Sequence, residues 1–155
     1  MFRLSRMTDY AVVVLSQMAR GGGAVYAAPD LADATGLPLP SVSKVLRLLA
    51  LGRLIESRRG AAGGYVLARR PEDINVAQII GALEGPVSLT ACVDGAEGSC
   101  KVETLCPLRG HWDLLNQAVR GALEQVSLAA LATATPDFIA APVAARPVVD
   151  APPAA

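Results

Sequence analysis

Three cysteines fall within fifteen residues, read C-V-D-G-A-E-G-S-C-K-V-E-T-L-C from Cys92 through Cys100 to Cys106, and they are all the cysteines of the chain. Asp94, Gly95, Glu97, Gly98 and Ser99 lie between the thiols. Such a run is too polar to pack a core and gains order only when something ties it down. Three thiolates converging from one loop make an incomplete coordination shell for a soft metal centre, either iron–sulfur or zinc. The spacing C-x7-C-x5-C matches no zinc-finger pattern. The plain alternative is three unconnected cysteines serving as small hydrophobes. Pro107 follows the last thiol and can open a helix, giving the loop a rigid edge.

What must hold such a loop is a small scaffold. At 155 residues there is room for one domain, or one small domain with an extension. Apolar residues make up 52% and aromatics 4%, so Leu, Val and Ile must build the core. No apolar run is long enough to cross a bilayer, and the segment Met1-Phe2-Arg3-Leu4-Ser5-Arg6 lacks the apolar stretch of a secretory signal. With an odd cysteine count, this points to a reducing cytoplasm and away from disulfides. Net charge is zero but uneven. Residues 1–75 hold ten Lys/Arg against six Asp/Glu, while 44–70 hold seven basic residues and only Glu56 opposing them. A basic half on a neutral protein can meet a polyanion.

Helical signals fill the basic half. Residues 9–20 read as a mostly buried helix, with Thr8 as N-cap, Asp9 at the positive end of the dipole and Gly21-Gly22-Gly23 as the stop. A short helix follows Ala28 and ends at Gly36. Pro40 opens a third, packed through Val42, Val45, Leu46, Leu49 and Leu51, with Ser41, Ser43, Lys44 and Arg47 toward solvent. Two short helices joined by a glycine-containing turn form a helix-turn-helix pattern. Two strand-like runs come next, 54–58 and 64–68, around the loop R-G-A-A-G-G. Gly60, Gly63 and Gly64 let the hairpin tip approach another surface, and Arg58 and Arg59 at its base, with Arg69-Arg70 beyond, can bond phosphates. The pattern is mainly α with a small β-hairpin, a winged helix-turn-helix, with double-stranded DNA as its partner.

Beyond Pro71, Asn75 caps a helix with Val76, Ile79, Ile80 and Leu83 on one face, ended by Gly85-Pro86. From Pro107 a long helix runs to about Gln125. Leu108, Trp112, Leu115, Val119, Ala122 and Val126 make one narrow apolar stripe on it. A second copy of the same helix is a reasonable partner, and an intramolecular contact is the alternative. Ser127 onward adds a helical turn, and from Thr133 the Ala/Pro-rich sequence reads as a disordered tail. The expected division is a DNA-binding domain at 1–85, a cysteine loop and dimerisation helix at 86–132, and a tail at 133–155. The chain offers one histidine, no paired-carboxylate motif, no phosphate loop followed by lysine and no nucleophile elbow, so an enzyme is not expected.

These residues resemble a known family. T-D-Y-A-V-V-V-L, the wing S-R-R-G-A-A-G-G-Y-V-L-A with Tyr65, I-N-V-A-Q-I-I-G-A-L-E-G, the three-cysteine loop and C-P-L-R-G-H-W are similar to the IscR/NsrR/RirA winged-helix regulators. Within them the likeness is closest to the SUF-system iron–sulfur assembly regulators, over residues 2–132. The resemblance implies a homodimeric repressor or activator whose cluster, 2Fe–2S or 4Fe–4S, is held by Cys92, Cys100 and Cys106. That cluster would sense iron status, oxidants or nitric oxide. Residues 40–52 would enter the major groove, with Arg58, Arg59 and the 60–64 loop against the minor groove or backbone.

Two positions depart from the pattern. Where 2Fe–2S members place a histidine three residues after the last cysteine, this chain has Arg109, and its histidine is His111. Some 4Fe–4S members instead borrow an aspartate from the partner subunit's first helix, and Asp9 stands at that position. Asp9 is therefore favoured as the fourth ligand over His111. A recognition-helix glutamate of some members is Ser43 here, and a hydroxyl reads bases less restrictively than a carboxylate, so their operator sequence does not transfer. The rival readings are a cluster-free thiol sensor and a zinc or iron–sulfur handling protein.

Overall fold

The computed structural model describes residues 3–91, 93 and 111–133. The polypeptide folds into six α-helices and a two-stranded hairpin among these residues, and none of the helices is long and apolar enough to cross a membrane. Helix α1, Arg6–Arg20, is the central element. Ala11, Val14, Leu15 and Met18 are wholly or almost wholly buried, and each contributes roughly 1.5–3 kcal/mol if large and apolar. Its N-cap is Ser5, whose side chain accepts from the Thr8 backbone N–H at 3.3 Å. The cap expected at Thr8 is thus displaced by three residues. The reason is long-range: the Thr8 hydroxyl is buried and donates to Glu84, 76 residues away.

Helix α2, Ala28–Thr35, starts with Pro29 in its first turn and stops at Gly36, which is left-handed at φ +69°. Helix α3, Leu39–Leu51, buries Val42, Val45, Leu46 and Leu49 against α1 and α2. Its end runs straight into the hairpin: the Leu54 N–H donates to Leu49 O at 3.0 Å, and the Ala68 N–H donates to Leu54 O at 3.0 Å. Strand β1, Ile55–Arg58, pairs antiparallel with β2, Gly64–Leu67, in the register Ile55↔Leu67 to Arg58↔Gly64. A single 3-10 turn, Pro71–Asp73, leads to α4, Val76–Glu84. There Asn75 and Gln78 form a reciprocal capping box, at 3.0 and 3.2 Å. The architecture is a winged helix-turn-helix, as the sequence implies.

Helix α5, His111–Glu124, lies against α4, and α6, Leu128–Thr133, returns to α1. Leu128 is fully buried in the same core as α1, so truncating it to alanine costs about 2–5 kcal/mol. Backbone pairs lock this return: Val76 N–H to Val126 O at 3.0 Å and Leu128 N–H to Ile74 O at 2.7 Å. The single apolar stripe expected on α5 is split. Trp112 and Val119 are half-buried beside the buried Asn116, while Leu115, Ala122 and Val126 are exposed together with Leu114, itself 70% exposed. The expected helix start at Pro107 and residues 134–155 of the expected tail lie outside the described residues, while Thr133, expected to open that tail, ends α6.

Candidate nucleic-acid interface and cysteine segment

Helix α3 has two sides of opposite chemistry. Its buried side fixes it to the core, and on the other Ser43, Lys44 and Arg47 are exposed, with Ser41 half-buried. Lys44 and Arg47 make no hydrogen bond or ion pair among the described residues, and α3 carries no acidic residue. Their charge is therefore available to an outside partner. Pro38 ends the preceding turn, and its carbonyl accepts from Ser41 N–H at 2.9 Å and Val42 N–H at 3.0 Å. That contact starts the helix and sets the direction in which its exposed face points.

The hairpin supplies a second basic feature. Arg58 and Arg59 are exposed at its tip. Arg58 lies 3.9 Å from Glu56, an exposed pair that contributes little stability. Arg59 has no partner among the described residues. Gly60, at φ +113°, makes the turn, and its carbonyl accepts from Gly63 N–H at 2.9 Å. The other two glycines serve the protein's own packing. A Cβ at Gly63 would lie 2.5 Å from Arg58 O, and one at Gly64 would overlap the Tyr26 carbonyl. Tyr26 and Tyr65 exchange two backbone hydrogen bonds, at 2.9 and 2.8 Å, and the Tyr65 ring packs against the core. Gly64 lets the residues before α2 close against the wing, so the arginines are held in a fixed relation to the helix pair. The sequence reading missed this bridge, because no local pattern marks an isolated pair 39 positions apart. Arg69 and Arg70 do not flank the tip. Arg69 donates to Asp73 O at 3.2 Å and to Gln78 at 3.3 Å, and Arg70 pairs with Asp73 at 3.1 Å.

Cys92, Cys100 and Cys106 lie outside the described residues, and among those described no three His, Cys, Asp or Glu side chains gather closely enough for a metal ion. The flanks of the cysteine segment are defined. Val93, adjacent to Cys92, is 4% exposed, which pins the start of the segment to the protein. Upstream, the Asn116 side chain of α5 accepts from Leu89 N–H and donates to Val87 O, both at 3.0 Å. This buried amide clamps the approach to Cys92, and its one sequence signal was an Asn interrupting the apolar stripe between Trp112 and Val119. Asp9 is exposed in the first turn of α1 with no side-chain partner among the described residues, so none of these competes for its carboxylate. His111 is exposed at the start of α5. Three thiols with a free carboxylate are a donor set that fits iron.

Near Asp9, the start of α1 is latched to the end of α4. Glu84 accepts from Ser5 N–H at 2.8 Å and from the Thr8 hydroxyl. The Thr8 hydroxyl, then the Ser5 contacts, hold the Glu84 carboxyl below the usual carboxylate range, although partial burial opposes them.

Comparison with known proteins identifies the fold and the family. Residues 4–134 match the family described as "Rrf2: Iron-dependent Transcriptional regulator". The repressor NsrR of Streptomyces coelicolor is 33% identical over 143 residues, covering 90% of each chain. Among solved structures, CymR, the global cysteine regulator of Bacillus subtilis, superposes with a TM-score of 0.66 at 28% identity, covering 88% of this chain and all of that one. The IscR of T. potens gives 0.59 at 28% identity, covering 85% and 87%. The chain belongs to the Rrf2 family of transcriptional regulators.

Proposed function

We propose that this regulator binds its operator as a homodimer and that an iron–sulfur cluster, 4Fe–4S or 2Fe–2S, sets its affinity, with iron–sulfur assembly genes as targets. The observation that carries this reading is the donor set: three thiols in one polar segment and, in α1, an exposed carboxylate without a competing partner. Cys92, Cys100 and Cys106 are the thiolate ligands. Asp9 of the partner subunit is the fourth, with His111 as the alternative. When bound, the cluster supplies a centre whose integrity answers to iron, oxidants and nitric oxide. The chain's own residues transmit that state. Asp9 sits at the start of α1, and α1 shares one core with α3 through Ala11, Val14, Leu15, Val45 and Leu49. A restraint on Asp9 therefore restrains the DNA-facing helix, because close-packed cores shift as units.

Ser41, Ser43, Lys44 and Arg47 face the major groove; Arg58, Arg59 and the Gly60–Gly64 turn meet the adjacent backbone. The exposed Leu114, Leu115 and Ala122 of α5, with Val126 just past its end, support dimerisation, since an apolar patch of that kind on a small domain calls for a partner. The functional division is a head at 1–85, a sensing and dimerising segment at 86–132, and a tail. The protein acts in the cytoplasm, where the DNA of its bacterial relatives lies.

The fourth ligand is tested by anaerobic reconstitution of Asp9→Ala and His111→Ala variants. Asp9→Ala should alter the visible spectrum and speed cluster loss, while His111→Ala should match wild type. The reverse result transfers the role to His111. Similarity to a global cysteine regulator favours one second reading, a sensor using bare thiols. In that case iron chelation leaves DNA affinity unchanged while oxidants alter it. Colourless protein with stoichiometric zinc would instead mark a zinc protein.

A further inference from the structure

We infer that the recognition helix reads its half-site through guanine and the thymine methyl, and that Pro40 is the residue facing that methyl. The inference rests on the DNA-binding reading above. Helix α3 has the sequence LPSVSKVLRLLAL and contains no Asp, Glu, Asn or Gln. Adenine is read in the major groove by an amide that donates and accepts at once, and cytosine by an acceptor carboxylate. Helix α3 has neither. Its exposed side chains are two cations, Lys44 and Arg47, which match guanine O6 and N7; one hydroxyl, Ser43, which discriminates weakly; and carbon at Leu39, Pro40 and Leu51.

Position decides which carbon reaches the groove. On a helix of 3.6 residues per turn, Pro40, Lys44 and Arg47 lie within about 60° of one another around the axis. Val42, Val45 and Leu46 occupy the opposite, fully buried side. Leu39 is 43% exposed, but one residue back it is rotated toward that buried side; Leu51, 70% exposed, shares the face of Pro40 but lies about three turns further on, in the last turn of the helix. Pro40 is exposed in the first turn, the part of a recognition helix that meets base edges. Having no N–H, it offers the groove no donor, only ring carbons. The one apolar mark on a major-groove base edge is the thymine C5 methyl. Adenine and cytosine are then recognised by this helix only through the thymine and guanine they pair with.

The test replaces single thymines by uracil in an operator selected from random duplexes with the full-length, anaerobically reconstituted protein. The exchange removes one methyl and leaves every hydrogen-bonding group in place. One symmetric thymine per half-site should show a loss of about fourfold, the value of one buried methyl. In Pro40→Ser, which keeps a residue suited to a helix start, the thymine-to-uracil ratio at that position should fall to about one. Uracil tolerated at every position, or a ratio unchanged in Pro40→Ser, overturns the inference and leaves DNA binding standing. Failure to select any duplex overturns the DNA-binding reading itself.

Discussion

Arg59→Ala separates the wing's electrostatic role from every other contribution. The proposed DNA face of each head carries four exposed cations on the recognition helix and the wing tip, Lys44, Arg47, Arg58 and Arg59. Arg58 is partly offset by Glu56 at 3.9 Å, whereas Arg59 has no partner among the described residues. If each cation neutralises one phosphate, eight contacts in a dimer give a log–log salt slope of about −7, from roughly −0.9 per phosphate. Between 50 and 200 mM salt the affinity then falls about 10⁴-fold. Losing Arg59 from both heads removes two contacts and makes the slope shallower by about 1.8, so the same change costs about 10³-fold. The assay is operator binding by fluorescence anisotropy across that salt range, repeated on an unrelated duplex. Phosphate contact predicts the same change of slope on both sequences. An unaltered slope, or a loss confined to the operator, would refute the argument that Arg59 meets the backbone.

Other residues carry equally direct expectations. Gly64→Ala should destabilise the protein by about 1–3 kcal/mol and weaken operator binding, because the added methyl pushes Tyr26 away from the wing; Ala62→Ser at the exposed tip should do neither, by thermal melting and gel shift. Tyr26→Phe should keep or raise stability by about 1 kcal/mol, because the buried hydroxyl has no hydrogen-bond partner among the described residues; a loss above about 2 kcal/mol in urea melts would contradict this. Glu84→Gln should lower stability at neutral pH. The folded-state pKa of Glu84 is depressed, so its contribution is present above the ordinary value of about 4.3 and fades as pH falls through the lower one. The gap between the melts of the two proteins should shrink as pH falls below the ordinary carboxylate range; a gap constant with pH would sink the assignment.

The helix-turn-helix and hairpin were legible because their signals are local. Pro29 and Gly36 bracket α2, Asn75 and Gln78 sit three apart for a capping box, and glycines and arginines punctuate the wing. What escaped was set by residues distant in sequence. Ser5 and Thr8 are both competent caps, and only Glu84 across the fold draws Thr8 elsewhere. The apolar residues of α5 gave the correct period but not the division of its faces, which follows from Asn116 binding the 87–89 segment. Gly64 was legible as a site of close approach, yet the surface it approaches is Tyr26 of the same chain. Arg69 and Arg70 looked like part of a basic patch until Asp73 and Gln78 were found to hold them.

The sensing claim is met most directly by operator binding of anaerobically reconstituted protein before and after iron removal, beside a Cys92→Ala, Cys100→Ala, Cys106→Ala variant. Wild type should bind iron and sulfide and change its affinity at least tenfold when iron is removed, while the triple variant holds one affinity throughout. Wild-type protein that takes up no iron after reconstitution, and binds the operator as the triple variant does, would contradict the account.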